Sequence, residues 1–166
     1  MKKEATLILN HTQIEHKIRR IAFQIYENNI DEDEIILAGI ANSGYLFAQK
    51  LKDCLEDISP ITINLCEVKV NKKKPLDTVT TSLSEDLYTN KSIVMVDDVL
   101  NSGATLIYGI KYFLNVPLKK LQTAVLVDRS HKRFPIKADF KGISLSTSLS
   151  ENVKVSLGEE YKAELL

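Results

Sequence analysis

The chain carries no excess of either charge: 22 Lys and Arg balance 22 Asp and Glu among 166 residues. That balance argues against bulk attraction to nucleic acid or to an anionic membrane and leaves room only for a local basic patch. No apolar run approaches the ~20 residues that a membrane span needs. The opening MKKEATLILNHTQ has a basic tip, but its apolar stretch is too short for a signal peptide. Only two cysteines occur, Cys54 and Cys66, without metal-type spacing, so two reduced thiols in a cytoplasmic protein are expected. His11, His16 and His131 do not cluster, which removes a zinc site. Internal repeats, low-complexity tracts and linkers rich in Pro, Gly or Ser are also missing, so a single domain is expected.

What is present is an alternation. Residues 10–29 read as a helix, because Asn10 and Gln13 have capping-box spacing and Ile14, Ile18, Ile21, Ala22 and Ile25 form one apolar stripe. EIILAGI (34–40) and SIVMV (92–96) are short apolar runs of the kind found in strands buried on both faces. Strands are also expected at 61–68 and 121–128, and helices at 45–57 and 104–115. The loop 69–78 is polar and basic and contains Pro75. Beyond 128, GISLS and VKVSL are short segments followed by an expected terminal helical turn. Helices alternating with apolar strands predict an α/β fold, a parallel sheet with helices on both faces. Such sheets bind ligands beyond the carboxyl ends of their strands. The polar turns 41–44, 97–103 and 128–133 should therefore share one crevice.

The stretch SIVMVDDVLNSGATL (92–106) carries the chemistry. Taken as strand, turn and helix, it sets Ser102, Gly103, Ala104 and Thr105 at a helix N-terminus. The unpaired N–H groups and partial positive charge there suit a phosphate. Asp97 and Asp98 precede this cradle. Carboxylates are poor phosphate ligands, but they accept hydrogen bonds from vicinal hydroxyls and can hold a divalent cation. A ribose 5-phosphate joins both requirements. Three rival readings exist. A single acid is accounted for as a helix cap, yet two adjacent acids before S-G-x-T exceed that need. A Walker-B strand requires a phosphate loop, but GIANSGYL (39–46) has Tyr45 and Leu46 where Lys and Ser/Thr are needed. A dinucleotide fold lacks its G-x-G-x-x-G.

IVMVDDVLNSGAT resembles the phosphoribosyl pyrophosphate (PRPP) motif of type I phosphoribosyltransferases. ILNHTQIEHKIRRIAFQI, IILAGIANSGYLFAQKL and LQTAVLVDRSHKRFPIKADFKG extend the resemblance across nearly the whole chain. They point to the bacterial subfamily of bifunctional pyrimidine operon attenuation regulators and uracil phosphoribosyltransferases. The resemblance implies a Rossmann-like sheet with a small C-terminal hood, mainly 138–166. It implies transfer of ribose 5-phosphate from PRPP to a nucleobase, uracil above all, with Mg²⁺ carried by PRPP and Asp97 or Asp98 as its candidate protein contact. By motif position, Asp97 and Asp98 would hold the ribose hydroxyls. Asn101, Ser102, Gly103, Ala104 and Thr105 would surround the 5-phosphate, and Ala41, Asn42, Ser43 and Gly44 would meet the pyrophosphate. Asp128, Thr147 and Ser148 would lie near the base, and Lys72 and Lys73 in a closing lid. A homodimer or larger homo-oligomer would be expected.

This chain also departs from the pattern. The pyrophosphate turn usually carries Lys and Arg and here has no cation. Ser102 and Ala104 stand where Thr and Arg are usual, which removes ~1.5–3 kcal/mol of charged hydrogen bonding. Asn101 stands where purine-using relatives place an acid, and an amide cannot be a general base. The lid KVNKKKPLDT is short and lysine-rich, so Lys72, Lys73 and Lys74 either replace the lost cations or form a solvated loop. The second function the resemblance implies is regulatory: nucleotide or PRPP binding that controls RNA, with weak catalysis. Arg19, Arg20, Arg129, Lys132, Arg133 and Lys137 are the candidate RNA-facing cations, although no stacking-aromatic RNA motif accompanies them.

Overall fold

A computed structural model describes residues 4–71, 73–74 and 76–166; Lys72 and Pro75, singled out above, lie outside the described residues. After a short strand β1 (Thr6–Leu9), the expected capping box starts helix α1 (His11–Asn28). Gln13 N–H donates to Asn10 Oδ1 and Asn10 N–H donates to Gln13 Oε1, each at 2.9 Å. The buried side chains of α1 are the five of the apolar stripe.

The central sheet is built from β2 (Glu34–Ile40), β3 (Thr62–Lys69), β4 (Thr80–Thr81), β5 (Ser92–Leu100), β6 (Lys120–Asp128) and β7 (Phe140–Ser144). Its order is β4-β3-β2-β5-β6-β7, parallel throughout except for the β3–β4 hairpin. Alternation along β2 divides two cores. Ile35 and Leu37 pack with α1 and with α2 (Ser43–Ile58). Ile36, Ala38 and Ile40 pack on the other face with Leu106 and Phe113 of α4 (Ala104–Phe113) and Tyr88 of α3 (Glu85–Tyr88). The sheet is thus covered on both faces, as wholly apolar parallel strands require. A second sheet, antiparallel and ordered β1-β9-β8, is completed by β8 (Val153–Leu157) and β9 (Tyr161–Leu165). Its Leu9, Val155, Leu157 and Ala163 join the core on the α1/α2 side.

Four local differences from the sequence expectations have physical causes. The expected terminal helical turn is strand β9, because YKAEL is flanked on both sides by pairing partners, β1 and β8. β5 does not stop at Val96. It runs through both acids to Leu100, held by the ladder in which Asp97 pairs with Val125, Val99 with Val127 and Leu100 with Asp128. Neighbouring strands here override the low strand preference of aspartate. α2 starts at Ser43, so Ser43 and Gly44 belong to its first turn and only Ala41 and Asn42 form the connection. The small sheet draws one strand from the amino-terminal segment, while residues 140–144 pair within the large sheet.

Candidate active site

Chain order places the site. From β2 the chain passes through α2 to β3 on one side, and later returns to place β5 on the other side of β2. The sheet order therefore switches direction between β2 and β5, where ligands of open α/β sheets bind at the carboxyl ends. The turn at 41–42 and the turn at 101–103 flank that crevice. Gly44 packs the start of α2 against β5: a Cβ there would lie 2.9 Å from Asp97 Oδ1 and from the Val96 carbonyl oxygen. The Ala41–Asn42 peptide is cis, and Ala41 N–H is bonded to the Val68 carbonyl at 2.8 Å.

Asp97 and residues 99–106 line a cavity of about 60 Å³ at the end of β5. The two acids differ. Asp97 is 3% exposed, and its Oδ1 accepts the Asp98 N–H at 2.9 Å. Asp98 is more open, and its Oδ1 accepts the Val99 N–H at 2.8 Å. Gly103 stands before α4 with φ 87°. A side chain there would be strained, and its Cβ would fall 2.2 Å from Ile136 Cγ2. The Ser102 carbonyl accepts the N–H groups of Arg133 (2.8 Å) and Phe134 (3.1 Å). The segment after β6 thus supports the turn from behind. The Ser102 hydroxyl accepts the Ala104 N–H at 3.2 Å. Thr105 and the other first-turn amides of α4 belong to the group that a helix cannot satisfy internally, and they form the wall of the cavity.

The remaining candidates divide. Asp128 ends β6 beside Leu100, but it is 5% exposed and does not line that cavity. Its Oδ2 is paired with Lys132 Nζ at 3.3 Å and faces Lys141 Nζ at 3.9 Å, while Oδ1 has no partner among the described residues. Thr147 and Ser148 lie on the loop between β7 and β8, joined to the site turn through Arg129. Lys73 is exposed on the β3–β4 loop, its N–H on Asn71 Oδ1 at 3.0 Å. That loop is tied to itself, with Asn71 Nδ2 also donating to Asp77 Oδ2 at 3.3 Å.

Arg129 is the residue that sequence reasoning put in the wrong place. It is not an RNA-facing cation, since it is 7% exposed and its guanidinium is spent on internal acceptors. Nη1 donates to Asn101 Oδ1 (2.8 Å), Nε to Thr147 Oγ1 (3.0 Å) and Nη2 to the Ser148 (3.3 Å) and Glu151 carbonyls. The available signal was its position directly after the apolar run AVLVD (124–128), where burial can extend beyond the strand end. Arg20 is likewise engaged, donating to the Gly142 carbonyl at 2.7 Å.

A parallel sheet with carboxylates and a helix N-terminus near its switch point defines an α/β protein. Comparison with known proteins makes this specific. The phosphoribosyl transferase domain matches residues 4–162, and the chain belongs to that family. It is 34% identical over 162 residues to the "Bifunctional protein PyrR" of Macrococcus caseolyticus, with 92% of each chain covered. It is 31% identical over 173 residues to the protein of that name from Bacillus subtilis, covering 98% of this chain and 96% of the relative. Among solved structures, the hypoxanthine phosphoribosyltransferase of Trypanosoma cruzi superposes with a TM-score of 0.77 at 17% identity, over 89% of this chain and 84% of the other. A hypoxanthine-guanine phosphoribosyltransferase from Bacillus anthracis gives 0.73 at 19% identity, over 86% of this chain and 84% of the other. At those identities the likeness is one of fold.

Proposed function

We propose that this protein transfers ribose 5-phosphate from PRPP to a nucleobase, uracil foremost, and releases pyrophosphate. The observation that carries the reading is the cavity at the end of β5, where the Asp97 carboxylate and the first turn of α4 meet, with Asp98 next in the chain. Thr105 and the neighbouring amides hold the 5-phosphate. Asp98, the more open acid, accepts hydrogen bonds from the ribose hydroxyls, with Asp97 at the cavity wall. Ser43 and the first-turn amides of α2 donate to the pyrophosphate in place of the missing cations. Rate enhancement then comes from holding the reacting groups together and from stabilising the departing anion.

Among the described residues no cluster of three or more metal-ligating side chains exists. Mg²⁺ binds through one or two carboxylates plus substrate phosphates. Asp97 and Asp98 are the residues that would touch it. When bound, the ion neutralises charge on the pyrophosphate.

Incubation with PRPP, Mg²⁺ and each common base, followed by pyrophosphate detection, tests the reading. Release with uracil is expected. A second reading has its own support in the uncharged connection Ala41–Asn42: a regulator that binds nucleotide and pyrimidine-operon leader RNA with weak catalysis. Tight nucleotide binding with no turnover on any base would leave only that reading. Absent or salt-insensitive RNA binding would remove it, because phosphate contacts weaken steeply with salt.

A further inference from the structure

The turn before α4 is gripped from outside the cavity by residues 133–136. Residues 99–106 line the cavity and 133–136 do not, so this segment lies behind the turn. The Ser102 carbonyl accepts two N–H groups there, from Arg133 at 2.8 Å and Phe134 at 3.1 Å, which occupies both of its lone pairs. The Ile136 N–H donates to the Phe134 carbonyl at 2.8 Å and closes a three-residue turn centred on Pro135. The proline ring fixes φ at about −65°, close to what the centre of an inverse γ-turn needs. That turn carries Ile136 into the space a Gly103 side chain would take. The Phe134 ring meets Tyr108 of α4 edge-on, with centroids 6.1 Å apart. One short segment thus holds the peptide before Gly103, Gly103 itself and the helix that follows.

Among the described residues the one cis peptide is Ala41–Asn42, so the Ser102–Gly103 peptide is trans. The carbonyl and the N–H of a trans peptide point in opposite directions. With the Ser102 carbonyl turned toward 133–134, the Gly103 N–H faces away from that segment, to the side of the cavity that Gly103 lines. We propose that Pro135 and Ile136 are positioning residues that keep the Gly103 N–H aimed at a bound phosphate. This inference rests on the phosphoribosyl reading above. Neither side chain lines the cavity, so both act through the turn. Gly103 has no Cβ to restrict its own rotation, and the clamp supplies the restriction instead. A donor already aimed spends no free energy on reorientation when the anion arrives.

The test combines titration calorimetry with nuclear magnetic resonance of protein labelled with ¹⁵N at glycine, where the chain offers only six amides. In the unaltered protein the Gly103 amide proton should move downfield on addition of ribose 5-phosphate and stay in place with ribose. Ile136→Ala should shrink that movement and weaken ribose 5-phosphate binding about tenfold, roughly one hydrogen bond to a charged group. Pro135→Ala, at an exposed position, should shrink it less and weaken binding about two- to fivefold, the effect of freeing one backbone position. Residues that only support the fold would lower the melting temperature and leave the Gly103 movement at saturation unchanged. A Gly103 signal unmoved by saturating ribose 5-phosphate, or either variant with the original movement and affinity, overturns the inference while ribose 5-phosphate binding keeps the site reading standing. No binding of ribose 5-phosphate overturns both.

Discussion

The two rims of the central sheet carry similar residues and opposite possibilities. At the amino ends of β2, β3 and β5 lies the larger cavity, about 340 Å³, lined by Glu34, Asn64, Asp86 and Lys91 with leucines between them. A second cleft beside it holds the acidic run 31–34 and Lys119. Two ion pairs form there. Lys91 is bonded to Glu34, and Lys119 Nζ lies 2.9 Å from Glu32 Oε2. The Lys119 hydrogen bond holds the Glu32 carboxyl below its ordinary pKa, against the opposing effect of burial. At the carboxyl ends the cavity is only about 60 Å³, yet the Asp97 carboxylate stands beside the amides of a helix start. A carboxylate attracts hydroxyl donors and a helix start attracts an anion. Volume alone would point to the amino rim.

The comparison can be broken most strongly at the carboxyl rim. Replacing Asp97 and Asp98 together by Asn removes both charges at nearly constant shape. PRPP affinity should fall about 100-fold or more, with the circular-dichroism melt little changed. Unchanged affinity would move the ligand away from this rim. Gly103→Val should come next. Its φ of 87° and the 2.2 Å approach to Ile136 cost about 1–3 kcal/mol of stability. The turn would also shift, so ribose 5-phosphate binding should weaken alongside a lower melting temperature. An unaltered melt would show that the turn bears a side chain without strain.

The smallest effect is expected at the amino rim. A carboxyl with a depressed folded pKa adds stability that is present above its unfolded value, about 4.3, and lost as the pH falls through the folded value. Lys119→Met should therefore lower stability at neutral pH by less than about 1 kcal/mol and flatten the acid loss below about pH 4.3. PRPP binding should not change. A change in PRPP affinity on this substitution would mean that the two rims are coupled.

Much of this was legible in the chain. The stripe of α1, the apolar runs of β2 and β5, and the start of α4 at residue 104 all follow from short-range patterns, because periodicity and capping act within a few residues. The end of β5 was not legible: two aspartates read as a turn, and only pairing with β6 carries the strand through them. β9 was equally ambiguous, since a five-residue segment has no period of its own until β1 and β8 lie against it. Arg129 looked like a surface cation because its acceptors lie 18 to 28 positions away in the chain at Thr147 and Asn101, and no local pattern reports them.

By itself the sequence determined the layered α/β architecture and which short segment holds the acids and the helix start after them, because both depend on neighbours a few residues apart. The tertiary structure alone decided that Asp97 is buried while Asp98 is open, that Gly44 closes onto Asp97, and that Arg129 turns inward. Each of these depends on which distant segments the strand order brings into contact, and burial and hydrogen bonding are set by those neighbours.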